Sequence, residues 1–420
     1  MSARTAEVVV IGAGLACFAA ARQLSIHGID VHVLEADSRV GGRIKTDEVD
    51  GYLLDHGFQL YNPAYPEASR VLDNEAMNLA PLTRGIEVAL EDGHTRLGDP
   101  RSNPRWLPHD ISLATGSPLA KARFARYAWG TTSHTAAELE QRIDMPASAA
   151  LRGSGVDDRL FERVLQPFLA GVFLESELRT SRHFLDLVLR SFLRGTPSIP
   201  THGMRALPEQ LHDALPEDCV HLDERVTEIR GTSVHTEAGS WEAQALIVAT
   251  DASAASRFLP GMPDATWNGV ATWYFSTSDG AAITHGLPTL AVDGAHRGPI
   301  LNAVAMSHAS PTYAPAGKTL VAASTLELTS DAEFEHEMRT HLATILGVST
   351  SDWELVGRYE IGHALPAMVP PFSVRKPVEV SPGLYVAGDH RDTSSIQGAM
   401  VSGRRAADAA LRFLGHTVIT

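Results

Sequence analysis

The stretch VVVIGAGLACFAA (Val8–Ala20) constrains this chain more than any other. A short β-branched strand runs into Gly12-x-Gly14 and then into an Ala- and Leu-rich segment, Leu15–His27, with helical spacing. A second strand, Val31–Glu35, follows. This βαβ unit predicts a parallel, buried sheet. Gly12 permits the tight turn, and Gly14 lets backbone approach a pyrophosphate seated at the N-terminus of the helix, with Leu15 and Ala16 beside it. The third position of the pattern holds Cys17, small enough to pack yet a departure from glycine. Glu35 stands 23 residues after Gly12, where an acceptor for ribose hydroxyls belongs, with Ala36 next to it. Its charge disfavours a 2′-phosphate.

A second glycine block, LEADSRVGGRI, supplies Arg39, Gly41, Gly42 and Arg43, so backbone is expected to meet the ligand again, between two arginines. GYLLDHGFQLY then places Gly57, Phe58 and Gln59 after Asp55. Far downstream, GLYVAGDHRDTSSIQGAMV ends a strand in Gly388-Asp389 and opens a helix at Ser395-Ile396, with Ala399 in its first turn. A carboxylate and a positive helix end at that distance suit the ribityl and ring portions of FAD, which is longer than NAD needs.

Composition removes other classes. With 35 basic and 50 acidic residues the formal charge is −15, a poor surface for nucleic acid. Two cysteines, Cys17 and Cys219, form neither a disulfide framework nor a metal motif, which suits a reducing, cytoplasmic setting. No signal-peptide layout or membrane-length apolar run is present. PLAKARFARYAW (Pro118–Trp129) reads as a helical surface patch, with peripheral membrane contact the lesser alternative. His336 and His341 are five apart, wrong for chelation on a helix, so they are read as an acidic helix face and no metal is expected. Lys318 and Lys376 are read as solvated.

Texture along the chain divides it. Helices are expected at Ala136–Ile143, Asp157–Leu169, Met204–Leu215, Asp331–Leu346 and from Gln397 to Leu414. Strands are expected at Tyr52–Leu54, Ala245–Ala249, Thr272–Ser276, Thr319–Ser324 and Gly383–Ala387. The fold class is α/β: a Rossmann-type nucleotide domain, similar to that of glutathione reductase, in three pieces (1–78, 202–262, 377–420). A second α+β domain of mixed sheet and helices would come from 79–201 and 263–376.

With these motifs in place the chain resembles the flavoprotein superfamily of monoamine and polyamine oxidases, protoporphyrinogen oxidase and phytoene desaturases. PFLAGVFL (Pro167–Leu174), P-x-x-GM (Pro200–Met204), YAPAGK (Tyr313–Lys318) and ALP (Ala364–Pro366) place it nearest the bacterial phytoene-dehydrogenase-like branch. The resemblance spans essentially the whole chain. It implies FAD, a two-domain fold, and Val226 in DERVTEI holding the adenine through its backbone.

Departures from the superfamily narrow the chemistry. The aromatic-cage tyrosine of amine oxidases falls at Ser395 and its partner at Asp392, so the cage is absent. The lysine that holds a water near the flavin falls at Thr272, and no cysteine precedes Gly398 to form a thioether, so non-covalent FAD is expected. The expectation is an FAD-dependent oxidoreductase moving a hydride from a mainly apolar small organic substrate to flavin N5. Asn302, Tyr359 and His363 are the substrate-face candidates, His363 as a base or as a structural hydrogen-bonding group. A flavin amine oxidase, a redox-neutral flavin isomerase and a non-catalytic escort of the same fold are the alternatives. O2, a quinone or another acceptor are all compatible with it, and no oligomeric state follows from the sequence.

Overall fold

The computed structural model describes residues 3–418, so residues 1–2 and 419–420 of the expected first and last pieces lie outside it. Two large sheets organise the chain. The first has eight strands and is drawn from distant stretches: Arg4–Ile11 lies between Gly239–Val248 and Val31–Leu34, parallel to both. Val220–His221 extends it beyond Val31–Leu34, and Leu384–Val386 pairs in parallel with Gly239–Val248. Val8, Val9 and Val10 are fully buried, as a strand covered on both faces requires.

Helix Leu15–Ser25 covers one face and packs against helix Ile396–Phe413. The close approach that the usual third glycine would permit is shared out differently. Cys17 is fully buried in the core, and Gly403 on the C-terminal helix lies where a Cβ would collide with the Ala16 carbonyl oxygen.

The second sheet has seven strands and is mixed. Its order runs Glu354–Pro366, Trp267–Thr277, Thr319–Thr325, Ile300–Ala305, Leu290–Asp293, Gly85–Leu90, Gly93–Gly98. Only the Leu290–Asp293 and Gly85–Leu90 pair is parallel. Strand alternation divides its side chains between two cores. Trp273 and Phe275 pack on helix Ala332–Leu346, while Tyr274 between them faces a helical layer that includes Pro118–Thr132, Gln166–Phe173 and Arg182–Arg194. Burying each such side chain contributes about 1.5–3 kcal/mol.

Several elements differ from expectation. The helix expected over Asp157–Leu169 is broken into Asp158–Leu160, a wider π turn at Phe161–Leu165, and Gln166–Phe173. Pro167 lacks the N–H that a continuous helix would use. The helix expected over Ala136–Ile143 stops at Glu140, where the Gln141 and Arg142 N–H groups turn back to Glu138 and Leu139. His341 is no part of an acidic surface: it is buried, accepts the Ile300 N–H through Nδ1 and pairs with Asp293 through Nε2 at 3.0 Å. Among the described residues no helix is long and apolar enough to cross a membrane.

Candidate functional site

A cavity of about 1550 Å³ opens between the two sheets. That exceeds the few hundred to a thousand Å³ of an ordinary ligand pocket, leaving room for a large cofactor and a substrate together. Every expected cofactor residue except Arg39 lines it.

One end is made mostly of backbone. Gly12 sits at φ +101°, a conformation costly for any other residue, and a Cβ there would press on the Ala249 carbonyl at 3.1 Å. Gly14 is the N-cap of helix Leu15–Ser25 and offers no side-chain cap. A Cβ on Gly14 would meet nothing within 4 Å, so the cradle is open where an anion would approach the helix N-terminus. The Glu35 carboxylate accepts the N–H of Ala13 at 2.6 Å and of Asp37 at 2.8 Å. It therefore braces the glycine turn and keeps lone pairs for ribose hydroxyls.

Arg43 joins two of the separated pieces. Its guanidinium donates to Asp389 Oδ1 and to the Ala364 carbonyl, both at 2.7 Å. Gln59 Nε2 donates to the Arg43 and His56 carbonyls, leaving Oε1 buried without a partner. Helix Ile396–Phe413 begins at the cavity, its N-terminus capped by Ser395, whose Oγ accepts the Gly398 N–H at 3.0 Å.

The other end is walled by apolar side chains, among them Phe168, Val172, Phe184, Leu187, Leu290 and Ile361. Asn302 projects from strand Ile300–Ala305, is 5% exposed, and leaves its Oδ1 without a hydrogen bond. Gly171 makes room for its amide, because any Cβ there would strike Asn302 Nδ2.

Three expected residues lie elsewhere. Arg39 does not line the cavity: its guanidinium donates to Asp47 at 2.6 Å. The Tyr359 hydroxyl donates to Asp47 Oδ2 at 2.8 Å, and its ring lies tilted by 30° against His56, centroids 4.4 Å apart. Burial would raise the Asp47 carboxyl, but hydrogen bonds from Tyr359, Arg39 and His56 hold it at about 2. His363 is exposed and stacks flat on Trp267 at 4.7 Å, outside the cavity, so neither role expected of it has a geometric basis. Lys376, expected in solvent, is partly buried and donates to the His390 carbonyl at 3.1 Å. Thr272 has a structural role, its Oγ1 accepting the Phe58 N–H at 3.1 Å.

Two carboxylates matter more than their sequence context suggested. Asp55 is fully buried and accepts from Thr46 Oγ1 (2.6 Å), the Met204 N–H (2.9 Å) and the Tyr313 hydroxyl (3.0 Å), tying the first glycine blocks to the second sheet's surroundings. Burial outweighs these bonds and pushes its carboxyl up to about 6. Asp392 lines the cavity just ahead of Ser395. It holds the position that the resemblance gave to the partner of the missing aromatic cage.

A glycine turn at a strand–helix junction, an acid ending the next strand and a second lobe closing over both define the fold of a dinucleotide-dependent oxidoreductase. Residues 13–411 match the flavin containing amine oxidoreductases, and the chain belongs to that family. Its cofactor is accordingly FAD. The chain is 29% identical over 280 residues to putrescine oxidase of Kocuria rosea, which covers 62% of this chain and 53% of that protein. It is 32% identical over 116 residues to mitochondrial protoporphyrinogen oxidase of Nicotiana tabacum, 27% of this chain and 23% of that one. The chain thus spans about half or less of the length of these curated relatives. The solved structure of wild-type putrescine oxidase bound to putrescine superposes with a TM-score of 0.74, covering 98% of this chain and all of that one. At 18% identity, that likeness is one of fold.

Proposed function

We propose that the cavity binds FAD along the glycine cradle and that the apolar end receives a small organic substrate, from which a hydride passes to the flavin. The observation that carries this reading is the convergence of two distant parts of the chain on one cavity: the N-terminal Gly12–Ala16, Glu35 and Gly41–Arg43, and the C-terminal Gly388–Asp389 with the N-terminus of helix Ile396–Phe413. The residues fit the cofactor. The open space over Gly14 admits a pyrophosphate, Glu35 offers acceptors to the ribose, and Val226 lines the cavity where it would hold the adenine.

When bound, the flavin supplies the two-electron acceptor. The chain's own residues do the rest. Arg43, paired with Asp389, neutralises and fixes the negative charge of that strand end. The positive end of helix Ile396–Phe413 favours electron density arriving at the edge of the ring system. The apolar wall excludes water, and Asn302 presents an amide to the substrate.

The two-domain division at 78/79, 201/202, 262/263 and 376/377 belongs to this reading, as do non-covalent FAD and a cytoplasmic site of action. So does placement near the phytoene-dehydrogenase-like branch, supported by the motifs around Pro167–Leu174 and Ala364–Pro366. Protein purified with oxidised-flavin absorbance, bleached anaerobically by one member of a panel of amines, polyenes, porphyrinogens and heterocycles, is the expected result. Turnover that needs an electron acceptor separates an oxidoreductase from a redox-neutral isomerase. Colourless protein that takes up no FAD would sink the proposal.

A further inference from the structure

Six arginines line the cavity, and three of them, Arg225, Arg257 and Arg375, are exposed. The other three are half-buried, where a charge needs an answer. Arg43 has Asp389, and Arg404 Nε lies 2.9 Å from both carboxylate oxygens of Glu67. Arg190 is the exception. Among the described residues no hydrogen bond or ion pair claims its guanidinium: Nε is sealed from solvent without a partner, and the two Nη groups are left accessible. Burial, and after it the charge of Arg194, lower its pKa from the usual arginine value, and no carboxylate opposes them. The helix does not explain the residue either. Arg190 and Arg194 stand four apart on helix Arg182–Arg194, a spacing at which like charges repel. Arg194, in the last turn, answers the helix dipole and donates to the Thr132 carbonyl at 2.8 Å, whereas Arg190 lies one turn earlier.

On the same helix Phe184, Leu187 and Val188 wall the apolar end of the cavity, so the unclaimed fork stands beside the substrate space and not in the glycine cradle. A half-buried cation without a counter-charge is costly, and at a cavity wall it marks where a ligand supplies what the fold withholds. We propose that Arg190 receives a carboxylate of the substrate, which is therefore an organic acid with an apolar body. A planar guanidinium with both Nη groups free matches the two oxygens of one carboxylate. A phosphate dianion would call for a second free cation, and Arg194 is turned to the Thr132 carbonyl. The chain carries a net charge of −15, so its surface in general repels acids and a preference for one must come from a local cation. The inference rests on the cavity being the substrate space of an oxidoreductase, and it gives the molecule held there a chemical class.

The test is calorimetric titration of the purified protein near neutrality with hexanoate, methyl hexanoate and hexyl phosphate, three probes of matched apolar length. Wild type is expected to bind hexanoate about tenfold or more tightly than its uncharged ester, the worth of a hydrogen-bonded ion pair. Arg190→Gln, which has no partner to lose, should fold with wild-type melting temperature and flavin content and bring acid and ester within about threefold. Arg190→Lys, which keeps the charge without the fork, should fall between the two. A wild type that binds the ester as tightly as the acid overturns the proposal, and so does a preference that survives Arg190→Gln. Hexyl phosphate binding as tightly as hexanoate overturns the carboxylate assignment. Should Arg190→Gln not fold, an unchanged hexanoate affinity in Arg190→Lys overturns the proposal instead. Wild type that purifies without flavin yet prefers the acid would refute the oxidoreductase reading and leave Arg190 in its role.

Discussion

The two ends of the cavity are built from different materials. The end around Gly12–Ala16 and Glu35 is made of turns, helix termini and one acid, so its shape is set by backbone. The end around Phe184, Leu187 and Asn302 is made of side chains projecting from helices and strands whose backbones serve packing. At the backbone end a new side chain takes space that the ligand needs or a φ that only glycine adopts readily, whereas side-chain sites tolerate any residue that fills the space. The first kind leaves a fixed imprint on a sequence, and the second leaves almost none.

The contrast can be broken by substitution. Gly14→Val should have the largest effect on function: flavin absent from the purified protein, with melting temperature little changed, since the new side chain meets only open cavity in the apoprotein. Unfolding by this variant would show that Gly14 serves packing. Gly403→Val should do the opposite, destabilising the fold by about 1–3 kcal/mol through its collision with Ala16, read as a lower urea midpoint. Glu35→Ala should weaken FAD binding by about 1–3 kcal/mol in equilibrium dialysis, and unchanged affinity would remove the ribose assignment.

Asp55 sharpens the comparison from the pH side. Its carboxyl is near 6 in the fold and about 4 when unfolded, so the native state holds the proton more tightly between those values. Its contribution to stability is complete below about pH 4 and is lost as pH rises through 6. Denaturation midpoints of Asp55→Asn should lack that part of the slope. The smallest effect is expected of Tyr359→Phe, which removes one hydrogen bond to Asp47. It should cost about 1 kcal/mol of stability and leave kcat unchanged; a collapse of kcat would return Tyr359 to the substrate face.

The same distinction explains what could be read in advance. Gly12, Gly14, Glu35, Gly41, Gly42 and Gly388-Asp389 could be placed on one cavity because each answers a backbone or charge requirement at a fixed distance. Tyr359 and His363 could not. Along strand Glu354–Pro366, alternation puts Tyr359, Ile361 and His363 on one side, yet only Ile361 reaches the cavity. Two residues along a strand shift a side chain by roughly 6.6 Å, enough to carry Tyr359 to Asp47 and His363 to Trp267. Between Ile361 and Leu365 this strand carries two residues more than its neighbour does between Val270 and Asn268, so alternation fails around His363, and no local pattern announces that bulge. Arg39 went astray for a related reason. An arginine's reach lets a nearby carboxylate, here Asp47, decide where its charge is spent.

Strand Leu384–Val386 and helix Ile396–Phe413 complete a sheet and a core begun by residues 4–34. On a ribosome, those opening residues emerge hundreds of peptide bonds before their partners do. The first sheet and its core cannot close until residues 384–413 have been made. A chain ending upstream of Leu384 lacks both the strand that pairs with Gly239–Val248 and the helix that covers Leu15–Ser25.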